Sequence, residues 1–178
     1  MHSIVRNVLI TDVIVRRSNR AFAVMCNPGT GLVEHLYVNN CIFEGRSYGG
    51  NWWGNGEALV VMATPHHIDS YRDPAPARRF DRALDDISFS GVSCRGERPV
   101  ALICDEDGVR NLRMHNVTVT RVPEEKPSLK GNVIDLAPGP GNYAVPDNAS
   151  MVVVKNVPVE PLEVSDPAGN RITPTVMA

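Results

Sequence analysis

One pattern, written five times, constrains this chain more than anything else in it: an apolar residue, a polar pair, an alternating apolar run, then Asn, Asp or Gly before another alternating pair. It reads V-R-N-V-L-I-T-D-V-I-V from Val5, V-E-H-L-Y-V-N-N-C-I-F from Val33, L-D-D-I-S-F-S-G-V-S-C from Leu84 and V-R-N-L-R-M-H-N-V-T-V from Val109, with a partial copy, V-V-V-K-N-V-P-V, from Val152. A unit this short cannot bury its apolar side chains alone. Self-similar copies do so by stacking on one another.

The columns agree in residue class. Val8, Leu36, Ile87, Leu112 and Val152 fill one apolar column, and Ile10, Val38, Phe89, Met114 and Val154 fill the next. Asp12, Asn40, Gly91, Asn116 and Asn156 follow, then Val13, Cys41, Val92, Val117 and Val157, then Val15, Phe43, Cys94, Val119 and Val159. Alternation with period two specifies a strand, because successive side chains point to opposite faces. The Asn/Asp/Gly column specifies a bend, since these residues tolerate the left-handed backbone.

Each copy is followed by a second apolar run: A-F-A-V-M from Ala21, E-A-L-V-V-M from Glu57, V-A-L-I-C from Val100 and N-V-I-D-L from Asn132. The first four copies start 28, 51 and 25 residues apart (33 minus 5, 84 minus 33, 109 minus 84). Three short strands in a coil of roughly 22 to 28 residues make a rung of a parallel β-solenoid. The longest interval is one rung carrying long loops. A β-sandwich also has many short strands, but nothing in it requires the same residue class to recur in phase.

The 178 residues correspond to one all-β domain of about four to five rungs. Residues 1–125 form the rungs, and 126–178 the last rung with a closing segment. Hydrophobic residues make up 43% of the chain, enough for a core, and the net charge of -2 comes with no basic run. Nucleic acid and an anionic membrane are therefore not expected partners. There is no apolar stretch of about 18 residues, and M-H-S-I-V-R-N-V lacks a signal-peptide pattern, which leaves either a cytoplasmic or a secreted location open. The chain opens directly in a rung, so the expectation is that further N-terminal rungs or a second subunit cover that end.

Cys26, Cys41, Cys94 and Cys104 show no CxxC spacing, so no metal and no cofactor is expected. Cys41 and Cys94 fall in inward columns, where a thiol acts as a small hydrophobe.

The loop G-R-S-Y-G-G-N-W-W-G-N-G-E from Gly45 gathers Trp52, Trp53, Tyr48, Asn51 and Asn55 ahead of Glu57. Indole faces pack on pyranose C–H groups and amides take hydroxyls, so the loop suits a polysaccharide or oligosaccharide. It equally suits a wall plug, in which a Trp is buried and the glycines only turn the chain. A second loop, from Ala63 to Arg82, carries His66, His67, Tyr71, Arg72, Arg78 and Arg79; Arg is geometrically matched to uronate carboxylates.

The rung grammar, with N-P-G-T-G-L-V-E-H-L-Y-V-N-N-C-I-F after an apolar strand and I-S-F-S-G-V-S-C later, resembles the C-terminal rungs of pectin-degrading right-handed parallel β-helix enzymes. The polygalacturonase family, glycoside hydrolase family 28, is the nearest in pattern; its bacterial relatives carry a W-W-G-x-G-E segment. The resemblance spans most of residues 4 to 122. It implies a right-handed, pectate-lyase-like β-helix and an inverting hydrolase acting on uronate-containing polysaccharide in a groove along one sheet. It also implies carboxylates about 6.5–9.5 Å apart. Departures are clear. No Gly-His-Gly occurs, Asp85-Asp86 opens a first strand instead of preceding the groove strand, and Ala23 and Met25 stand where the family has its basic pair.

On this reading Glu57 is the leading acid, with Asp105, Glu106 and Asp107 behind it, and Trp52, Trp53, Asn51, Asn55, Tyr48 and Arg72 bind substrate. The plainer roles are a carboxylate bonding its own glycine turn for Glu57 and a solvated acidic turn for Asp105–Asp107. Asp135 interrupts N-V-I-D-L and would face either the groove or solvent. Near the C-terminus, V-E-P-L-E-V-S-D-P-A-G-N-R-I reads as a hairpin turning at D-P-A-G-N. Two functions follow: a polygalacturonase-like glycoside hydrolase, or a noncatalytic β-helix that binds glycan or serves assembly.

Overall fold

A computed structural model of the chain describes residues 3–26, 31–46, 56–63, 83–98, 100–104, 108–123, 149–154 and 159–177. Among the described residues there is no α-helix, and no helix is long and apolar enough to cross a membrane. The strands fall into rungs. The first is β1 (Ser3–Thr11), β2 (Ile14–Ser18) and β3 (Arg20–Cys26); the second is β4 (Gly31–Asn39), β5 (Ile42–Gly45) and β6 (Glu57–Ala63). The third is β7 (Leu84–Ser90), β8 (Ser93–Gly96) and β9 (Val100–Cys104). In the fourth, β10 (Val109–Arg121) runs unbroken through the first two positions and is followed by β11 (Met151–Val154). β12 (Val159–Ser165) and β13 (Thr175–Met177) complete the stack.

All strand pairings between these elements are parallel, in two sheets. In the first sheet β1, β4, β7, β10 and β12 follow one another, while β2, β5 and β8 join the far half of β10; the second sheet is β3-β6-β9-β11-β13. The sequence intervals are the pairing register: Val5 lies beside Val33, Val33 beside Leu84, and Leu84 beside Val109. This in-phase stacking of parallel strands is consistent with a β-solenoid.

The inward columns form the core. Leu36, Val38, Cys41 and Phe43 are buried, as are Ile87, Phe89, Val92 and Cys94 one rung on. Phe22 stacks on Phe43 with ring centroids 4.8 Å apart and meets Phe89 edge-on at 6.0 Å. Cys26, Cys41 and Cys94 are buried free thiols. Burial pushes the Cys94 thiol up to about 12 and raises Cys26 as well.

The described members of the bend column adopt the left-handed backbone: Asp12, Asn40, Gly91 and Asn116 have φ of 58, 51, 62 and 50°. A second left-handed column lies five residues upstream, at Asn7, His35, Asp86 and Asn111, with φ of 50 to 58°. The ladders joining β1, β4, β7 and β10 skip these four residues without a shift of register, so each of these strands carries the same left-handed kink and the kinks nest.

Two expectations are corrected. The run from Val152 is not a fifth copy of the first strand, because Met151–Val154 pairs with Val100–Ile103 of β9 and so lies in the second sheet. The fifth first strand is β12, which pairs with β10 through two register shifts, one across Pro161 and one opposite His115 and Asn116. The N-V-I-D-L run, with Asp135, lies outside the described residues, and β11 holds the place beside β9 that the run was expected to take. The terminal hairpin is present. Ser165 bridges Arg171 antiparallel, and the Asp166 carboxylate accepts from the Ala168 and Asn170 amides at 2.9 and 2.8 Å. Ile172 returns to donate its amide to the Val164 carbonyl at 2.8 Å and packs on the core.

Candidate functional site

Of the residues singled out from sequence, Glu57 lies within the described part of the structure. Tyr48, Asn51, Trp52, Trp53, Asn55, Arg72, Asp105, Glu106 and Asp107 lie outside it. Glu57 opens β6 at the corner between the sheets. There Gly45 and Gly96 let the backbones approach closely: a Cβ on Gly96 would sit 2.8 Å from the Gly56 carbonyl oxygen, and one on Gly45 would collide with the Glu57 backbone.

This corner is rich in paired charge. Glu57 is 8% exposed and its Oε1 lies 3.2 Å from Arg20 Nη2. The Arg20, Glu57 and Arg98 backbones are neighbours in successive rungs. Beside them Glu97, 1% exposed, pairs with Arg46 Nε at 3.5 Å, and Arg121 Nη1 donates to the Ala149 carbonyl at 2.8 Å. Two arginine–glutamate pairs thus share the corner with Arg98 and Arg121. The tryptophan-bearing segment 47–55 enters the chain between Arg46 and Gly56 of this corner, where the first rung turns through Asn19 alone. The Arg20 ion pair ties the Glu57 carboxylate into this corner.

The strand beyond Glu57 was expected to line a groove. Instead β6 is buried along its whole length. Leu59, Val61 and Ala63 face the main core, while Val60 and Met62 join Ala101, Ile103 and Ala149 in a second apolar cluster on the other face, with Met25 beside it. The outward columns Ala23-Val60-Ala101 and Met25-Met62-Ile103 therefore carry no polar group. A strand buried on both faces reads as a continuous apolar run, as A-L-V-V-M-A does after Glu57.

A polar constellation that the sequence reading missed lies on the outer face of the first sheet. Asp86 accepts hydrogen bonds from Tyr37 Oη and Arg113 Nη2, and its Oδ2 lies 2.9 Å from His35 Nδ1. Chiefly the Tyr37 hydroxyl, then His35 and Arg113, hold the Asp86 carboxyl down to about 2, overriding the opposite effect of partial burial. The same hydrogen bond raises the Tyr37 phenol. Asn111 Nδ2 donates to Asp85 Oδ1 at 2.8 Å, and Arg6 Nη2 lies 2.8 Å from Glu34 Oε1. The signal was present in the polar pair that opens each copy: its second member is the left-handed residue, which brings His35 and Asp86 into one column.

Among the described residues no group of three His, Cys, Asp or Glu side chains is arranged to hold a metal ion. Compared with protein-family models, with curated proteins and with solved structures, the chain matches none.

Proposed function

We propose that this protein is a noncatalytic module of the right-handed parallel β-helix kind that binds a uronate-containing polysaccharide. The observation that carries the reading is the apolar, buried outer face of β6 and β9, which among the described residues holds no acid pair of the kind a groove-lining hydrolase needs. Glu57 supports it further, since its carboxylate is engaged by Arg20. The tryptophans of segment 47–55 supply flat apolar faces for sugar rings, and the arginines of the loop from Ala63 to Arg82 are matched in charge to sugar acids.

The test is a paired one on polygalacturonate, rhamnogalacturonan and xylan: binding by calorimetry, and release of reducing ends. Binding to an acidic polymer with no release, unchanged in Glu57→Gln, is the expected result. Reducing-end release that Glu57→Gln abolishes would replace this reading with a hydrolase. Absence of binding to every polymer would remove the glycan altogether.

A further inference from the structure

The outer face of the first sheet is uneven in height. On the third rung its outward side chains are short: Ser88 and Ser90 on β7, and Ser93 on β8. The ladders set Tyr37, Asn39 and Ile42 beside them on the second rung, and Arg113, His115 and Thr118 on the fourth. Between these longer side chains Ser88 and Ser90 are half-buried. A trough therefore runs along the third rung, with walls two rungs apart, about 10 Å in all.

The walls are held in place at one end. Tyr37 and Arg113 stand on either side of Ser88, and both bond the Asp86 carboxylate, which also lies 2.9 Å from His35 Nδ1. Both Asp86 oxygens are thereby engaged, so this carboxylate fixes its neighbours and is not itself turned to a ligand. Arg113 spends Nη2 on that bond, and Nη1 has no partner among the described residues. The side chains of Asn39, Ser88 and Ser90 likewise make no hydrogen bond among the described residues. Arg95 on β8 and Arg110 on β10 add cationic charge and form no ion pair among the described residues. The outward face of the third and fourth rungs thus sets three arginines against Asp85 and Asp86, while His115 is matched by Glu163.

We propose, on the strength of the glycan reading above, that this trough binds a sugar acid of the polysaccharide through its carboxylate, at the Nη1 edge of Arg113. The sugar ring lies against Tyr37, and its hydroxyls meet Ser88, Ser90 and Asn39. A guanidinium already fixed by one carboxylate has less freedom to lose when it takes a second. A tyrosine ring presents an apolar face to sugar C–H groups while its hydroxyl stays bonded. The short floor lets a pyranose reach both walls at once. A neutral sugar would leave Nη1 of Arg113, Arg95 and Arg110 without a counter-charge, so the acid is the group recognised. This places the sugar acid on a sheet face, apart from segment 47–55.

The test is calorimetric titration of tetragalacturonate, and of its full methyl ester, into the intact protein and two variants. Arg113→Gln removes the guanidinium, and Ser88→Trp fills the floor from the solvent side. Each should weaken tetragalacturonate by at least about tenfold with the melting temperature of Ser88→Trp unchanged, and the parent should bind the ester at least about tenfold more weakly than the acid. If Arg113→Gln fails to fold, Ser88→Trp decides alone. Tight binding by the parent and undiminished binding by Ser88→Trp overturn this proposal and leave the glycan reading to segment 47–55. Equal affinity of the parent for acid and ester also overturns it, because the carboxylate would then play no part. No binding of tetragalacturonate by the parent, with binding of another acidic polymer that Ser88→Trp retains, overturns the trough alone; no binding of any acidic polymer overturns both.

Discussion

His35 and Asp86 occupy the same left-handed column in adjacent rungs, and His35 Nδ1 lies 2.9 Å from Asp86 Oδ2. The left-handed kink that takes both residues out of the ladder sets them side by side, within reach of Tyr37 and Arg113.

Asp86 should make stability depend on acid pH. Its carboxyl is depressed to about 2, against an ordinary value of about 3.9, so the stabilisation is complete above about pH 4 and disappears as pH falls through about 2. The site is partly solvated, which limits the contribution to on the order of 1 kcal/mol. Urea midpoints measured from pH 7 to pH 2 should show Asp86→Asn weaker than the parent at neutral pH and the two converging in acid. Parallel curves would mean that the constellation does not stabilise the native state.

The Arg20–Glu57 pair should behave as a buried couple. Glu57→Ala leaves a largely buried guanidinium without its counter-charge and should cost about 3 kcal/mol, whereas Arg20→Met with Glu57→Met should cost far less than the sum of the single changes. A double-mutant cycle from chemical denaturation reads the coupling directly. Additive effects would show that the pair is too wet to matter.

Phe43 and Val15 share a column, one rung apart. Phe43 is fully buried against Phe22, so Phe43→Ala should cost about 3–5 kcal/mol. Val15 is half-buried at the open end, and Val15→Ala should cost less than about 1 kcal/mol. Comparable losses at the two sites would mean that the first rung is covered in solution.

Gly91 and Gly96 should respond to alanine for different reasons. At Gly91 the left-handed backbone is the constraint, and Gly91→Asn should be nearly neutral because Asn40 and Asn116 occupy the same column, while Gly91→Val should cost more than about 1 kcal/mol. At Gly96 the corner backbone is the obstacle, so any Cβ should destabilise, by about 1–3 kcal/mol for Gly96→Ala. Thermal denaturation of the three variants separates the two causes.

Cys94 should be inert in the native protein. With its thiol pushed up to about 12 and fully buried, it should react with a thiol reagent at pH 8 only as fast as the protein unfolds. Rapid native-state labelling of Cys94, located by peptide mapping, would contradict the burial.

The stack was legible because each column holds one residue class. Ile10, Val38, Phe89 and Met114 differ in shape yet share a face, and the intervals between copies turned out to be the pairing register. The run at Val152 misled because V-V-V followed by an Asn matches the pattern at a few positions. Its lack of alternation was the better guide, since a continuous apolar run belongs to the sheet buried on both faces, as in β6 and β9. The true first strand of the fifth rung was obscured by Pro161, which displaces the period-two pattern by one residue. Sequence offered Glu57 as an acid or as a carboxylate bonding its own glycine turn, and could not show that Arg20, 37 residues earlier, is its partner. The Asp86 constellation draws on three separate rungs and becomes visible only when the kink column is aligned.

The corner between Arg46 and Gly56 bears on how such a chain can change. The first rung passes this point through Asn19, the second through segment 47–55, and the strands on either side keep the same partners. Register is fixed by ladders and kinks and does not depend on the length of the connection, whose closure entropy grows by only about 0.6 kcal/mol per doubling. The corner is therefore a port for grafting: foreign recognition segments of quite different lengths can be spliced in at this point, one rung at a time, without disturbing the scaffold that displays them.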